Sequence, residues 1–274
     1  MKNKHSIRLL ALLLAIGVLL CPLSACGGGE IAKPETVEEL VETVAQAMAA
    51  VPYQCVSTEA RRVTDGGALA SELDATTVST ARVDGTAFFL SLAQGGTLRE
   101  STYRDGIYYL HVNGGDGAID LKRSVSITAE QLALYGASAV SYTAFFQDIT
   151  FSDLMWETAE NGNIIVTGSG VEEESSTGLE RVIGDLSAAL MPHGASLTVD
   201  YRETFVTMEV DARTYQCLRQ RREISGEILL LDQIIPFTLT TEEVYSYGEA
   251  AVVTPPADAN IYEKKGSFAE LFEM

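Results

Sequence analysis

Residues 76–125, TTVSTARVDGTAFFLSLAQGGTLRESTYRDGIYYLHVNGGDGAIDLKRSV, decide the fold. Short runs rich in Thr, Val, Ile, Tyr and Phe are cut at regular intervals by turn dipeptides. Asp84-Gly85 separates Thr76–Val83 from Phe88–Leu92, and Gly95-Gly96 leads into Leu98–Tyr103. Asp105-Gly106 leads into Ile107–Val112, and Asn113-Gly114-Gly115-Asp116-Gly117 into Ile119–Val125. Asp-Gly and Gly-Gly supply the positive φ of tight hairpins. The spacing predicts an antiparallel meander with short connections.

Outward from this stretch, β texture continues on the N-terminal side through Tyr53–Thr64, which ends at Asp65-Gly66-Gly67. Ahead of it Thr36 and Glu39 form a capping box. Behind the box Val37, Leu40, Val41, Val44, Ala45 and Met48 recur at helical spacing, and Pro52 stops the helix. On the C-terminal side Thr128 and Gln131 open a second helix predicted to reach Ala139. Tyr142–Trp156 has no clear period, Ile164–Gly168 reads as a strand, and Glu172–Ser176 as an exposed acidic loop. Thr177 and Glu180 open a third helix with Leu179, Val182, Ile183, Leu186 and Leu190 on one face. Ala195–Tyr201, Phe205–Val210, Tyr215–Ile224, Ile228–Leu231 and Pro236–Tyr247 are the remaining strands. Pro255-Pro256 is expected to close the sheet, and Phe268, Leu271 and Phe272 to form a short sticky terminal helix. Sheet, helices and sheet again predict an α+β domain over residues 35–274, one antiparallel sheet with helices on one face.

The N-terminus carries an address. Lys2, Lys4 and Arg8 precede an apolar run, Leu9–Leu20, that is shorter than the ~20 residues of a confident membrane span. Leu23-Ser24-Ala25-Cys26 follows as a lipobox. The expectation is a signal peptide over residues 1–25 and diacylglycerol on the Cys26 thiol. Residues 26–34, with Gly27-Gly28-Gly29, then form a flexible tether at the extracytoplasmic face of a membrane.

Composition narrows the partners. Lys and Arg number 19 against 38 Asp and Glu, a formal charge of −19 that deepens once Lys2, Lys4 and Arg8 are removed. Such a chain is repelled by nucleic acid and by anionic headgroups, so membrane attachment falls to the acyl anchor. Apart from Cys26, only Cys55 and Cys217 follow the signal segment. In an oxidising compartment they form either a bridge or two buried thiols.

Order and texture resemble the LolA/LppX-like lipoproteins, especially their Gram-positive relatives. The likeness rests on the lipobox, the first helix, the long meander and the central helices. It extends to Phe205–Val210 with the hairpin Asp211-Ala212-Arg213-Thr214-Tyr215, and to a Thr-rich last strand running into Pro255. It covers roughly residues 36–256. The resemblance implies a strongly curved antiparallel half-barrel with helices on its concave face, and a lipid or lipidated cargo held between them. It assigns no ligand residue by motif; only Cys26 is carried over.

Catalytic signatures are missing from the sequence: no Gly-x-Ser-x-Gly, Ser-x-x-Lys, His-Glu-x-x-His or phosphate loop occurs. No enzyme activity, cofactor or metal is expected. His111 and His193 read as structural or surface residues, Asn113–Asp120 as a hairpin turn, and Glu172-Glu173-Glu174 as a solvated loop. Arg219 and Arg221 share a strand face and, with Arg222, either bind an anion or pair with acids such as Glu203 or Glu242. Consecutive apolar residues at Phe88-Phe89-Leu90, Ile107-Tyr108-Tyr109-Leu110 and Ile228–Leu231 place apolar groups on both sheet faces. Either packed helices cover the second face or a hydrophobic ligand occupies it. The candidate ligand residues are Leu179, Val182, Ile183, Leu186, Phe89 and Tyr109. The competing expectation is a ligand-free interaction or sensory protein with a filled core.

Overall fold

Turn chemistry sets the architecture. The computed structural model describes residues 33–64, 74–115, 117, 119–135, 149–172, 197–230 and 233–273. After helix α1 (Val37–Ala49) come β1 (Tyr53–Val63), β2 (Ala75–Asp84), β3 (Ala87–Gln94), β4 (Thr97–Arg104), β5 (Ile107–Gly114) and β6 (Asp120–Ser126). Helix α2 (Ala129–Ala133) is followed by β7 (Ile149–Thr158), β8 (Ile164–Glu172), β9 (Leu197–Val210), β10 (Cys217–Leu230), β11 (Gln233–Tyr247) and β12 (Glu263–Lys265). Gly95 and Gly96 at φ +57° and +78°, and Asp105 and Gly106 at +53° and +77°, make the two-residue turns whose twist matches their strands.

All twelve strands form one open sheet in the order β12-β6-β5-β4-β3-β2-β1-β11-β10-β9-β8-β7. Every pairing is antiparallel except β12 with β6. The chain therefore builds one wing outward from β1 to β6, then returns to lay β11 against the free side of β1. Alternation is sustained in the long strands. In β11, Ile235, Phe237, Leu239 and Tyr245 are buried while Ile234, Pro236 and Val244 are exposed.

The core lies on one face of the sheet. Register lines up Tyr247, Tyr53, Val83, Phe88, Tyr103, Tyr108 and Val125 as a row across seven strands. Leu40, Val44 and Met48 of α1, Leu132 of α2 and Leu271 of the one-turn 3₁₀ helix Ala269–Leu271 join this cluster, as do Ile164 and Val166 of β8, Met208 and Val210 of β9 and Cys217 of β10. Thr36 caps α1 by accepting from the Glu39 amide at 3.2 Å.

This corrects the α+β layout. Among the described residues the chain is a twelve-stranded sheet with one 13-residue helix and one five-residue helix, and no helical layer covers a concave face. The capping box at Thr128 forms as predicted, yet α2 stops at Ala133 rather than Ala139. Leu132 is buried, while Leu134 and Tyr135 just beyond the helix are 85% and 58% exposed. Part of Tyr142–Trp156 belongs to strand β7. The helix predicted over 177–190 lies outside the described residues. Pro255-Pro256 does not close the sheet, because β12 follows it and pairs parallel with β6.

Candidate functional site

Strand alternation builds the floor of a cleft on the face opposite the core. Arg82, Phe89, Thr102 and Tyr109 are successive cross-strand partners on β2 to β5. Two residues along, Glu100, His111 and Lys122 form a second row on β4 to β6. Residues 252–262 cross these rows as a strap, with Thr254, Pro255, Pro256 and Asp258 forming the far wall. The half-open cleft has a volume of 390 Å³, toward the lower end of the ~300–1,000 Å³ typical of ligand pockets.

The strap is fixed at several points. Ala251 just before it and Val253 within it are buried, and the Tyr262 ring meets Tyr109 edge-on at 5.4 Å between centroids. Lys122 Nζ donates to Asp258 Oδ2 at 2.7 Å. That bond holds the Asp258 carboxyl below its ordinary pKa and the Lys122 ammonium above its own. Burial, reinforced by Asp258, Glu100 and Asp120, pushes the Tyr262 hydroxyl up to about 12, so it keeps its proton at neutral pH.

His111 is clamped between acids, with Nδ1 3.2 Å from Glu100 Oε2 and Nε2 2.9 Å from Asp120 Oδ1. Arg82 lies over Phe89, its guanidinium carbon 4.9 Å from the ring centroid, while Nε donates to Gln54 Oε1 at 3.1 Å. The lining combines aromatic surface, hydroxyls and charged groups, a set suited to holding a molecule non-covalently.

The sequence candidates divide in two. Phe89 and Tyr109 both lie on this cleft floor. Leu179, Val182, Ile183, Leu186 and the lipidation candidate Cys26 lie outside the described residues, as do His193, Glu173 and Glu174; Glu172 ends β8. Arg82, Thr102, Lys122, Asp258 and Tyr262 were not singled out by sequence reasoning, though strand alternation already puts Arg82 and Thr102 on the face of Phe89 and Tyr109. Arg219 and Arg221 reach Glu242 at 3.4 and 3.6 Å, and Arg221 also reaches Glu223 at 2.8 Å. They resolve as surface pairs. Asn113 and Asp120 pair at the end of the β5–β6 ladder, where the Gly114 amide donates to the Ile119 carbonyl.

Cys55 and Cys217 are buried free thiols. They sit on β1 and β10, with β11 between. Two strand spacings put their backbones about 9.5 Å apart, beyond the ~7 Å reach of a bridge. Burial pushes the Cys55 thiol up to about 12 and the Cys217 thiol upward as well. Beside them Tyr245 donates to Glu243 Oε2 at 2.7 Å, and burial raises the Glu243 carboxyl. These thiols pack as small apolar groups and are no nucleophiles. Among the described residues no group of three or more His, Cys, Asp or Glu side chains is placed to hold a metal ion, and no helix is long and apolar enough to cross a membrane.

No protein-family model matches the chain, and no curated protein matches it. Among solved structures, the ywiB protein from Bacillus subtilis aligns over 73% of this chain and 93% of its own, at 12% identity and a TM-score of 0.16. An overlap that slight supports no conclusion about fold or function.

Proposed function

We propose that the protein is a membrane-anchored extracytoplasmic lipoprotein, held by acyl chains on Cys26, whose sheet domain binds a small amphiphilic molecule non-covalently. The anchor reading rests on the order of basic residues, apolar run and Leu23-Ser24-Ala25-Cys26. The binding reading rests on one observation, the cleft floored by Arg82, Phe89, Thr102 and Tyr109 beneath the Pro255-Pro256 strap. Its size favours a ring system or a short chain over the body of a two-chain lipid. The site therefore moves from a cavity under helices to the outer face of the β2–β6 wing.

Two experiments test this. Cys26→Ala is expected to leave the precursor unprocessed or to release the protein; a processed Cys26→Ala protein still on the membrane argues against acylation there. Native mass spectrometry of the purified protein, with solvent extraction of anything bound, is expected to find a small molecule whose occupancy falls in Phe89→Ala. An empty protein that also ignores aromatic probes argues against the binding reading.

A second reading has its own support. Leu134, Tyr135 and Phe272 are exposed at one edge of the wing, and Tyr135 stacks on Phe268 at 4.5 Å. Exposed apolar clusters of this kind suit protein contacts, which is the interaction-protein alternative.

A further inference from the structure

We infer that the cleft selects an oxyanion carried on a flat apolar body. The carboxylate or phosphate group lies at Arg82, and the body lies across Thr102 and Tyr109 beneath the strap. This rests on the binding reading above and adds the chemistry of what is bound.

The charge pattern carries the argument. In a chain with a formal charge of −19, anions are repelled unless a cation is kept available locally. The acids around the cleft are all engaged: Glu100 and Asp120 hold His111, and Asp258 holds Lys122. Arg82 is different. It is half-buried, its Nε is used by Gln54, and among the described residues it has no carboxylate partner. Leaving a half-buried guanidinium without an anion costs free energy, in a protein with acids to spare. Its two terminal nitrogens remain a planar donor fork, the geometry that matches a carboxylate or phosphate.

Further donors lie in the same place. The hydroxyls of Thr102, Tyr109 and Tyr262 make no hydrogen bond to another described residue, although all three residues are buried and line the cleft. Tyr262 holds its proton, so it meets a ligand as a donor. The register fixes the ligand's reach. Arg82 and Tyr109 are three strand spacings apart on one row, about 14 Å between backbones. The Phe89 ring is already covered by the guanidinium. The apolar part of the lining that remains is a narrow strip at Tyr109, itself 8% exposed, beneath Pro255, Pro256 and Tyr262.

Three probes on the full-length protein separate the parts of this inference: benzoate, its near-isostere benzamide, and acetate. Binding is read from NMR shifts of selectively labelled tyrosines. Benzoate is expected to bind at least tenfold tighter than benzamide or acetate, and Arg82→Gln to abolish its advantage while benzamide binding is retained. Retained benzamide binding also reports an intact cleft in the variant. Equal affinities for benzoate and benzamide in the wild-type protein overturn oxyanion selection and leave the binding reading standing, as does an Arg82→Gln variant that keeps the preference. Acetate as tight as benzoate overturns the flat body. No shift at Tyr109 or Tyr262 with any probe overturns both this inference and the cleft as a ligand site.

Discussion

Lys122 and Asp258, 136 residues apart in sequence, are joined by a 2.7 Å ion pair. It fastens the strap to strand β6, and the strap is one wall of the cleft. Asp258→Asn or Lys122→Met is expected to speed amide exchange over residues 252–262 while leaving exchange in the core row around Phe88 unchanged. The pair has a pH window. Its carboxyl is held low and its ammonium high, so the tie persists through neutrality. It is lost in acid, as pH falls through the folded Asp258 value, and in strong base, as pH rises through that of Lys122. Exchange rates over 252–262 that are identical in wild type and variant at pH 7 contradict this role.

Neighbouring phenylalanines are expected to behave oppositely. Phe88 is 2% exposed in the core row, whereas Phe89 is half-buried on the cleft floor. Phe88→Ala leaves a cavity and is expected to cost about 3–5 kcal/mol in denaturant unfolding. Phe89→Ala is expected to cost clearly less and to impair ligand occupancy instead. Equal destabilisation by the two changes means the cleft face is packed like the core.

The thiols give a chemical check. Both are buried, with pKa values raised by desolvation. Neither is expected to react with iodoacetamide in the folded protein, and both in denaturant. Reductant is expected to leave Tm unchanged, since no bridge exists to lose. An intact mass two daltons below that of the dithiol contradicts the structure.

Asp211 holds the hairpin between β9 and β10. Its Oδ1 accepts from the amides of Arg213 and Thr214 at 2.8 and 2.9 Å, and these bonds lower its pKa. Asp211→Ala is expected to cost about 1 kcal/mol at neutral pH. A carboxyl with a depressed folded pKa stabilises fully above its unfolded value of ~3.9 and loses that contribution as pH falls through the folded value. The gap between wild type and Asp211→Ala should therefore close in acid. A gap that widens there reverses the assignment.

How much of this was legible in the sequence depends on whether local or distant residues set it. The β1–β6 meander was readable because Asp84-Gly85, Gly95-Gly96 and Asp105-Gly106 dictate their own turns. The sequence of each long strand, β9 and β10, reads as two strands, broken near 202–204 and 225–227. The structure puts one irregularity there: Ser225 faces Glu203, Gly226 faces Tyr201, and Arg202 is the extra residue. A bulge and a turn share the same glycine and polar signals, and only pairing separates them. Strand β12 was invisible because Glu263-Lys264-Lys265 has no strand texture; its backbone pairs with β6 because the strap delivers it there. For the same reason two floor residues, Phe89 and Tyr109, were found from their apolar runs, while the strap-side residues Asp258 and Tyr262 were not. Their place depends on the path of the tail across the sheet.

The position of β1 between β2 and β11 also sets a timetable for folding. As the chain is synthesised, β1 to β6 can zip together from neighbouring hairpins, yet one side of β1 stays bare until Tyr247 has emerged. Pairings this distant are slow to form, and an unpaired strand edge invites aggregation in the interval. A chain truncated before β11 would retain the first wing with that edge uncovered. Nonsense and frameshift products are therefore expected to be sticky and short-lived rather than partly functional.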